Sequence, residues 1–109
     1  MIAKRLRKLF LACLFLPLIA GADELGSISF PNSGSAEAQE AFLTGVKALH
    51  SFQFDEARFA FEEAQRIDPD FALAYWGQAM SDNHPLWAQQ DGEAATAALK
   101  RLAPTHEAR

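Results

Sequence analysis

One stretch, residues 54–69 (FDEARFAFEEAQRIDP), constrains the fold more than any other part of the sequence. Its small and apolar residues recur every three or four positions, which places them in one stripe along a helix of 3.6 residues per turn. These residues are Ala57, Ala60, Phe61, Ala64 and Ile67. Because such a stripe is stable only when another element covers it, the sequence predicts an amphipathic helix packed against a neighbour.

Both ends of this predicted helix carry residues that are typical of helix termini. Asp55 follows the first apolar residue and is the predicted N-cap. Glu62 and Arg66 have the i,i+4 spacing of an ion pair on the outer face. Asp68 and Pro69 predict the end, because Pro cannot continue a helix but is tolerated as the first residue of a new one. We therefore expect a further helix to start at Pro69, with Asp68 as its cap.

Helical spacing marks three further segments. Residues 35–51 precede the central helix, with Ser35 as the predicted N-cap, and residues 71–82 and 93–102 follow it. The connection between the first and the central helix is so short that the two must turn back on each other. The sequence thus predicts an all-α protein built from antiparallel helix hairpins. Its parts are a flexible lead-in (residues 23–34), a first hairpin (35–69), a second, irregular hairpin (70–103) and a tail (104–109).

The spacing of Gly45, Ala57, Phe61, Ala64 and Pro69 resembles the tetratricopeptide repeat, a helical hairpin with a 34-residue period. Small residues let the two helices approach closely, and an aromatic ring fills the space between layers. The resemblance covers about residues 36–84 and implies a fragment of an α-solenoid. The repeat signature it implies is Gly45, Ala57, Phe61, Ala64, Pro69, Tyr75 and Ala79.

The same resemblance implies a concave groove that binds partners. An apolar, aromatic groove of this kind suits an extended or helical peptide. The residues carried over by position are Gln39, Phe42, Val46, His50, Leu73, Trp76, Met80, Asn83 and His84. The alternative is that these residues are covered by neighbouring repeats or by the lead-in.

The first 22 residues match a secretory signal peptide. Four basic residues precede an apolar run of eleven residues, 9–19, and the small-residue ending predicts cleavage near Ala22. The run is too short to span a bilayer, which takes roughly 20 residues. Retention as an anchor and acylation of Cys13 are the alternatives. We expect a bacterial periplasmic or secreted protein that meets the membrane only through a transient signal peptide.

Charge narrows the class of partner. Cleavage after Ala22 removes four of the ten basic residues and none of the fourteen acidic ones, so the net charge moves from −4 to −8. An acidic domain is a poor candidate for binding nucleic acid or anionic lipid. Cys13 is the single cysteine and lies in the signal segment, so no disulfide is expected in the exported chain.

Catalytic and metal-binding patterns are weak. His50 and His84 occupy the same repeat position, but without a close i,i+4 pair they are better explained as helix-end residues bonded to backbone carbonyls. His50, Ser51 and Asp55 have the residue types of a hydrolase triad but no nucleophile elbow. We expect no enzyme activity, no cofactor and no metal.

The sequence therefore predicts an exported module that binds a protein or peptide, with self-association through open repeat ends as a further possibility. The alternative is the amino-terminal helical part of a longer protein with an enzymatic or small-molecule-binding region. In that case Phe42, Trp76 and Trp87 would form the small-molecule pocket.

Overall fold

The computed structural model describes residues 25–109, so the predicted signal peptide lies outside the described residues. Four α-helices account for most of them, and the expectation of an all-α fold is confirmed at this level. The helices are α1 (Gln39–His50), α2 (Phe54–Ile67), α3 (Ala72–Ser81) and α4 (Gly92–Leu102). Within residues 25–109, none of the helices is long and apolar enough to cross a membrane.

Short elements fill the connections. A single-turn 3₁₀ helix, Ala36–Ala38, leads into α1, and a second one, Pro85–Trp87, lies between α3 and α4. The second is framed by two-residue strands, β1 (Asn83–His84) and β2 (Gln89–Gln90), which pair antiparallel. The sequence analysis predicted only a loop here, because a two-residue strand is too short to show alternation.

The core lies where α1, α2 and α3 meet. Each helix packs against the next along the chain, and α1 also contacts α3. Phe42, Phe61 and Phe71 are the large apolar side chains that are fully buried. The ring of Phe42 lies 5.8 Å from that of Phe61 and 4.7 Å from that of Phe71. These tilted contacts join one aromatic residue from each of three consecutive segments.

Phe61 fits between two glycines. A Cβ atom at Gly45 on α1 would lie 2.8 Å from the Phe61 ring, and one at Gly77 on α3 would lie 2.4 Å from it. Both distances are far inside ordinary carbon contact. Gly45 is the small residue that the spacing predicted, whereas Gly77 takes the place on α3 that the 34-residue shift assigned to Ala79. Ala79 itself is half-buried.

The prediction that a helix starts at Pro69 is wrong. Helix α3 begins at Ala72, and residues 68–71 form a turn in which the Phe71 N–H donates to the Asp68 carbonyl at 3.1 Å. The Asp68 carboxylate accepts a hydrogen bond from the Asp70 N–H at 3.2 Å. Because Asp68 bonds within this turn, Pro69 and Asp70 belong to the connection and not to the helix.

Of the two capping predictions, one is correct in position and one is wrong. Ser35 occupies the N-cap position of the 3₁₀ helix that leads into α1, although its side chain makes no capping hydrogen bond, whereas Gln53, not Asp55, occupies the N-cap position of α2. Asp55 lies inside the first turn, where its charge still favours the positive end of the helix dipole. A cap that the sequence analysis missed is Asp91, whose carboxylate accepts from the Ala94 N–H at 2.9 Å.

Arg66 forms its ion pair with Glu63 and not with Glu62, the predicted partner. The Arg66 Nε–H donates to Glu63 at 2.8 Å, an i,i+3 pair on the exposed face, and this bond lowers the pKa of the Glu63 carboxyl. Glu62 instead accepts from the side-chain amide of Gln78 on α3 at 2.9 Å. A contact from another helix has therefore taken the carboxylate that the i,i+4 spacing assigned to Arg66.

A polar network joins α2, α3 and α4. The Gln65 amide donates to the Gln78 side-chain oxygen at 2.8 Å, and Arg101 donates to the side-chain oxygens of both glutamines. The two glutamines are less than a tenth exposed. Buried amides cost free energy when they lack partners, so these bonds fix α4 against α2 and α3.

Candidate functional site

The turn between α1 and α2 places a phenylalanine in an unfavourable backbone conformation. The Gln53 N–H donates to the Ala48 carbonyl at 2.9 Å and the Phe52 N–H to the Leu49 carbonyl at 3.2 Å, the pattern of a Schellman motif. Phe52 occupies the left-handed position of this motif, with φ of 60°. Glycine is the usual residue there, because a side chain is strained at positive φ. The aromatic residue is thus kept against the local backbone preference.

This turn borders an apolar pocket, a cavity of about 360 Å³ between the α1–α2 turn and the end of α3. Three of its lining side chains are large, apolar and accessible: Phe52 is 51% exposed, Trp76 is 40% exposed and Met80 is 36% exposed. The complete lining is Leu49, His50, Phe52, Phe54, Trp76, Met80, Asn83 and Pro85. We call this set the aromatic pocket.

The loop after α3 extends the aromatic surface beside the pocket. The His84 ring stacks on Phe54 with centroids 4.1 Å apart. Trp87 contacts Phe54 edge-on at 6.0 Å and Phe52 at 6.3 Å, and remains 56% exposed. Pairs of rings in these geometries attract each other beyond their burial. The β1–β2 pairing thus presents Trp87 next to the aromatic pocket.

The structure divides the predicted groove residues into two groups. His50, Trp76, Met80 and Asn83 line the aromatic pocket, and His84 stacks at its edge. The remaining four lie elsewhere, because Phe42 and Val46 are buried in the core, Leu73 packs partly buried against that core, and Gln39 is bonded to the lead-in. The predicted small-molecule pocket of Phe42, Trp76 and Trp87 is not assembled, since Phe42 is fully buried.

The histidines behave as helix-end residues. The Nδ1 atom of His50 lies 2.9 Å from the Val46 carbonyl oxygen, and the Nε2 atom of His84 lies 2.9 Å from the Ser81 carbonyl oxygen. This confirms the predicted bonds to backbone carbonyls. Across the described part of the chain, no group of three His, Cys, Asp or Glu side chains is arranged to hold a metal ion.

The sequence did not indicate Phe52 and Phe54 as pocket residues, since Phe52 was placed in the connection between helices and Phe54 at the start of the central helix. The available signal was the pair of phenylalanines at a helix-to-helix turn of three residues, where polar residues and glycine are the usual choice. Comparison of the chain with protein-family models, with curated proteins and with solved structures yields no match. The functional argument therefore depends on the geometry of the pocket.

Proposed function

We propose that the protein is an exported helical module of tetratricopeptide-repeat type that binds a protein or peptide, with an apolar side chain of the partner inserted into the aromatic pocket. The module has no catalytic role of its own in this proposal. The observation that carries the proposal is the position of Phe52, a strained and half-exposed aromatic residue at the pocket rim. Backbone strain of this kind is concentrated at functional sites.

The composition of the pocket supports this kind of ligand. Trp76, Phe52 and Met80 offer apolar area, and Asn83 and His50 offer polar groups at the same opening. Binding energy at protein interfaces concentrates in a few such aromatic residues around a concave pocket. A cavity of about 360 Å³ is large enough to hold one large side chain and lies at the lower end of the roughly 300–1,000 Å³ range of ligand pockets.

The order of helix packing supports the repeat architecture. Successive helices pack on each other. Phe61 fills the space between Gly45 and Gly77, and the resemblance implies such an arrangement, in which small residues surround one aromatic ring. About three repeats are needed to form a stable array. In our proposal, the described hairpins form one end of such an array.

Selection from a phage-displayed library of random peptides tests the proposal. Peptides enriched on the purified protein are measured again on Phe52→Gly and Trp76→Ala variants by fluorescence anisotropy. We expect at least about a tenfold loss of affinity for each variant, the usual minimum for a central interface residue. Phe52→Gly keeps or raises the melting temperature, because glycine relieves the strain.

Phe59→Ala is the matched control. Phe59 is 69% exposed on α2 and does not line the aromatic pocket, so its removal leaves peptide affinity unchanged. Failure to enrich any peptide, or equal losses at Phe59 and Trp76, would refute peptide binding at this pocket.

A further inference from the structure

The lead-in lies along α1 and covers the part of the predicted groove that is absent from the aromatic pocket. Phe30 contacts Phe42 edge-on, with ring centroids 5.4 Å apart. The Asn32 and Gln39 side-chain amides exchange two hydrogen bonds, each 2.8 Å long. Gln39 also donates to the Gly34 carbonyl at 3.1 Å. Side chains and one backbone carbonyl of the lead-in make these contacts, as in a bound peptide.

The spacing of these contacts is that of an extended chain. Ile28, Phe30 and Asn32 are alternate residues, and alternate residues of an extended segment face the same side. Residues 26–32 form neither helix nor strand. The α1 surface therefore binds an extended segment that presents an apolar, an aromatic and an amide side chain in sequence.

This segment fills its site incompletely. A cavity of about 300 Å³ remains between the lead-in and the end of α1, lined by Ile28 and Phe30 on one side and by Val46 and His50 on the other. Ile28 is 41% exposed and Phe30 is 36% exposed, although both line this cavity. A ligand with larger side chains would bury more apolar area on the same surface.

The segment is attached through Gly34 and Ser35 at one end and through Leu25, which packs partly buried against the core, at the other. A Cβ atom at Gly34 would lie 2.3 Å from the Phe71 ring, and the Ser35 N–H donates to the Asp68 carboxylate at 2.8 Å. Residues 26–31 are all solvent-exposed. Release of these residues therefore leaves the core contact at Gly34 and the start of α1 unchanged.

We propose that this face of α1 is a second peptide-binding surface and that residues 25–32 occupy it as an intramolecular ligand. Its partner is an extended peptide with an apolar residue, an aromatic residue two positions later and an Asn or Gln two positions after that. This inference goes beyond the proposed function, because it concerns a separate face that shares only His50 with the aromatic pocket.

The test uses a fluorescent peptide with the sequence of residues 25–34, LGSISFPNSG, as the probe. Anisotropy titrations compare the wild-type protein with Phe30→Ser, which releases the protein's own segment. The apparent affinity of the protein for the probe is its intrinsic affinity multiplied by the fraction of molecules whose site is free. Phe30→Ser should therefore bind the probe roughly tenfold or more tightly than the wild type does. A probe with Ser in place of its own phenylalanine does not bind.

Three further variants test whether the change in probe affinity comes from release of the lead-in segment. Phe59→Ser, which exposes no new site, keeps the wild-type probe affinity, and Trp76→Ala does so as well, because it belongs to the aromatic pocket. If Phe30→Ser unfolds, Asn32→Ala provides the same comparison, since it removes the amide pair with Gln39 together with the Asn32 hydrogen bonds to the Phe30 carbonyl and the Gly34 N–H. Equal probe affinity in wild type and released variants would overturn the inference, as would a wild-type dimer with exchanged segments in analytical ultracentrifugation.

Discussion

The contact between Phe61 and Gly77 provides the sharpest test of the packing. In Gly77→Ala the new Cβ would lie 2.4 Å from the Phe61 ring, which is fully buried. Carbon atoms at optimal contact are about 3.5–4.0 Å apart. The ring cannot move into solvent, so α3 must move away from α2 or the ring must leave its preferred rotamer.

The expected change in the free energy of unfolding of Gly77→Ala is the difference between two opposing contributions. Overpacking a core costs about 1–3 kcal/mol, and the short distance favours the upper part of that range. Alanine in place of a mid-helix glycine returns about 1 kcal/mol through helix propensity. We therefore expect a net loss of about 1–2 kcal/mol in the free energy of unfolding, with ~4–8 °C in melting temperature for each kcal/mol.

Urea and thermal denaturation followed by circular dichroism measure this difference. Gly92→Ala is the matched control, because a Cβ there meets nothing within 4 Å, and it should leave stability unchanged or slightly higher. In a Phe61→Leu background the cost of Gly77→Ala should shrink, giving a coupling energy in a double-mutant cycle. If Gly77→Ala were as harmless as Gly92→Ala, the proposed close packing of Phe61 would be refuted.

Two further predictions concern helix ends and pH. Asp91→Ala removes the cap of the Ala94 N–H and should lower the free energy of unfolding by about 1 kcal/mol in urea denaturation, whereas Asp91→Asn should retain most of it. Arg66 lowers the pKa of Glu63 in the folded state, so this pair adds stability at neutral pH that is lost as the pH falls through the lowered pKa. The stability difference between wild type and Glu63→Gln should thus be small at pH 7 and vanish at pH 2, and a difference that is independent of pH would contradict this origin.

The parts of the fold that local periodicity determines could be predicted from sequence. Residues 54–67 form a helix because the stripe that includes Ala57 and Phe61 is buried against its neighbours. The ends of the helices were less predictable, since they depend on contacts between different segments of the chain. Gln78 on α3 recruits Glu62, and Asp68 bonds within its own turn, so neither carboxylate is free for the role that its spacing suggested.

The candidate site was only partly predictable for the same reason. Trp76 and Met80 were implied as groove residues by the resemblance to the tetratricopeptide repeat, and both line the aromatic pocket. The phenylalanine at the strained turn position was missed, because the sequence does not reveal a positive φ at a residue other than glycine. Coverage of Phe42 by Phe30 also could not be deduced, since the lead-in has no periodicity that would indicate where it packs.

The network around Arg101 has a consequence for how the molecule opens. Separation of α4 would leave the nearly buried side-chain oxygens of Gln65 and Gln78 without their guanidinium partner. Fraying at the carboxyl end is thereby coupled to the helices before it, and α2, α3 and α4 should exchange their amide hydrogens with solvent as one cooperative unit. The solvent-exposed residues 26–31 of the lead-in should exchange far sooner and independently of that unit.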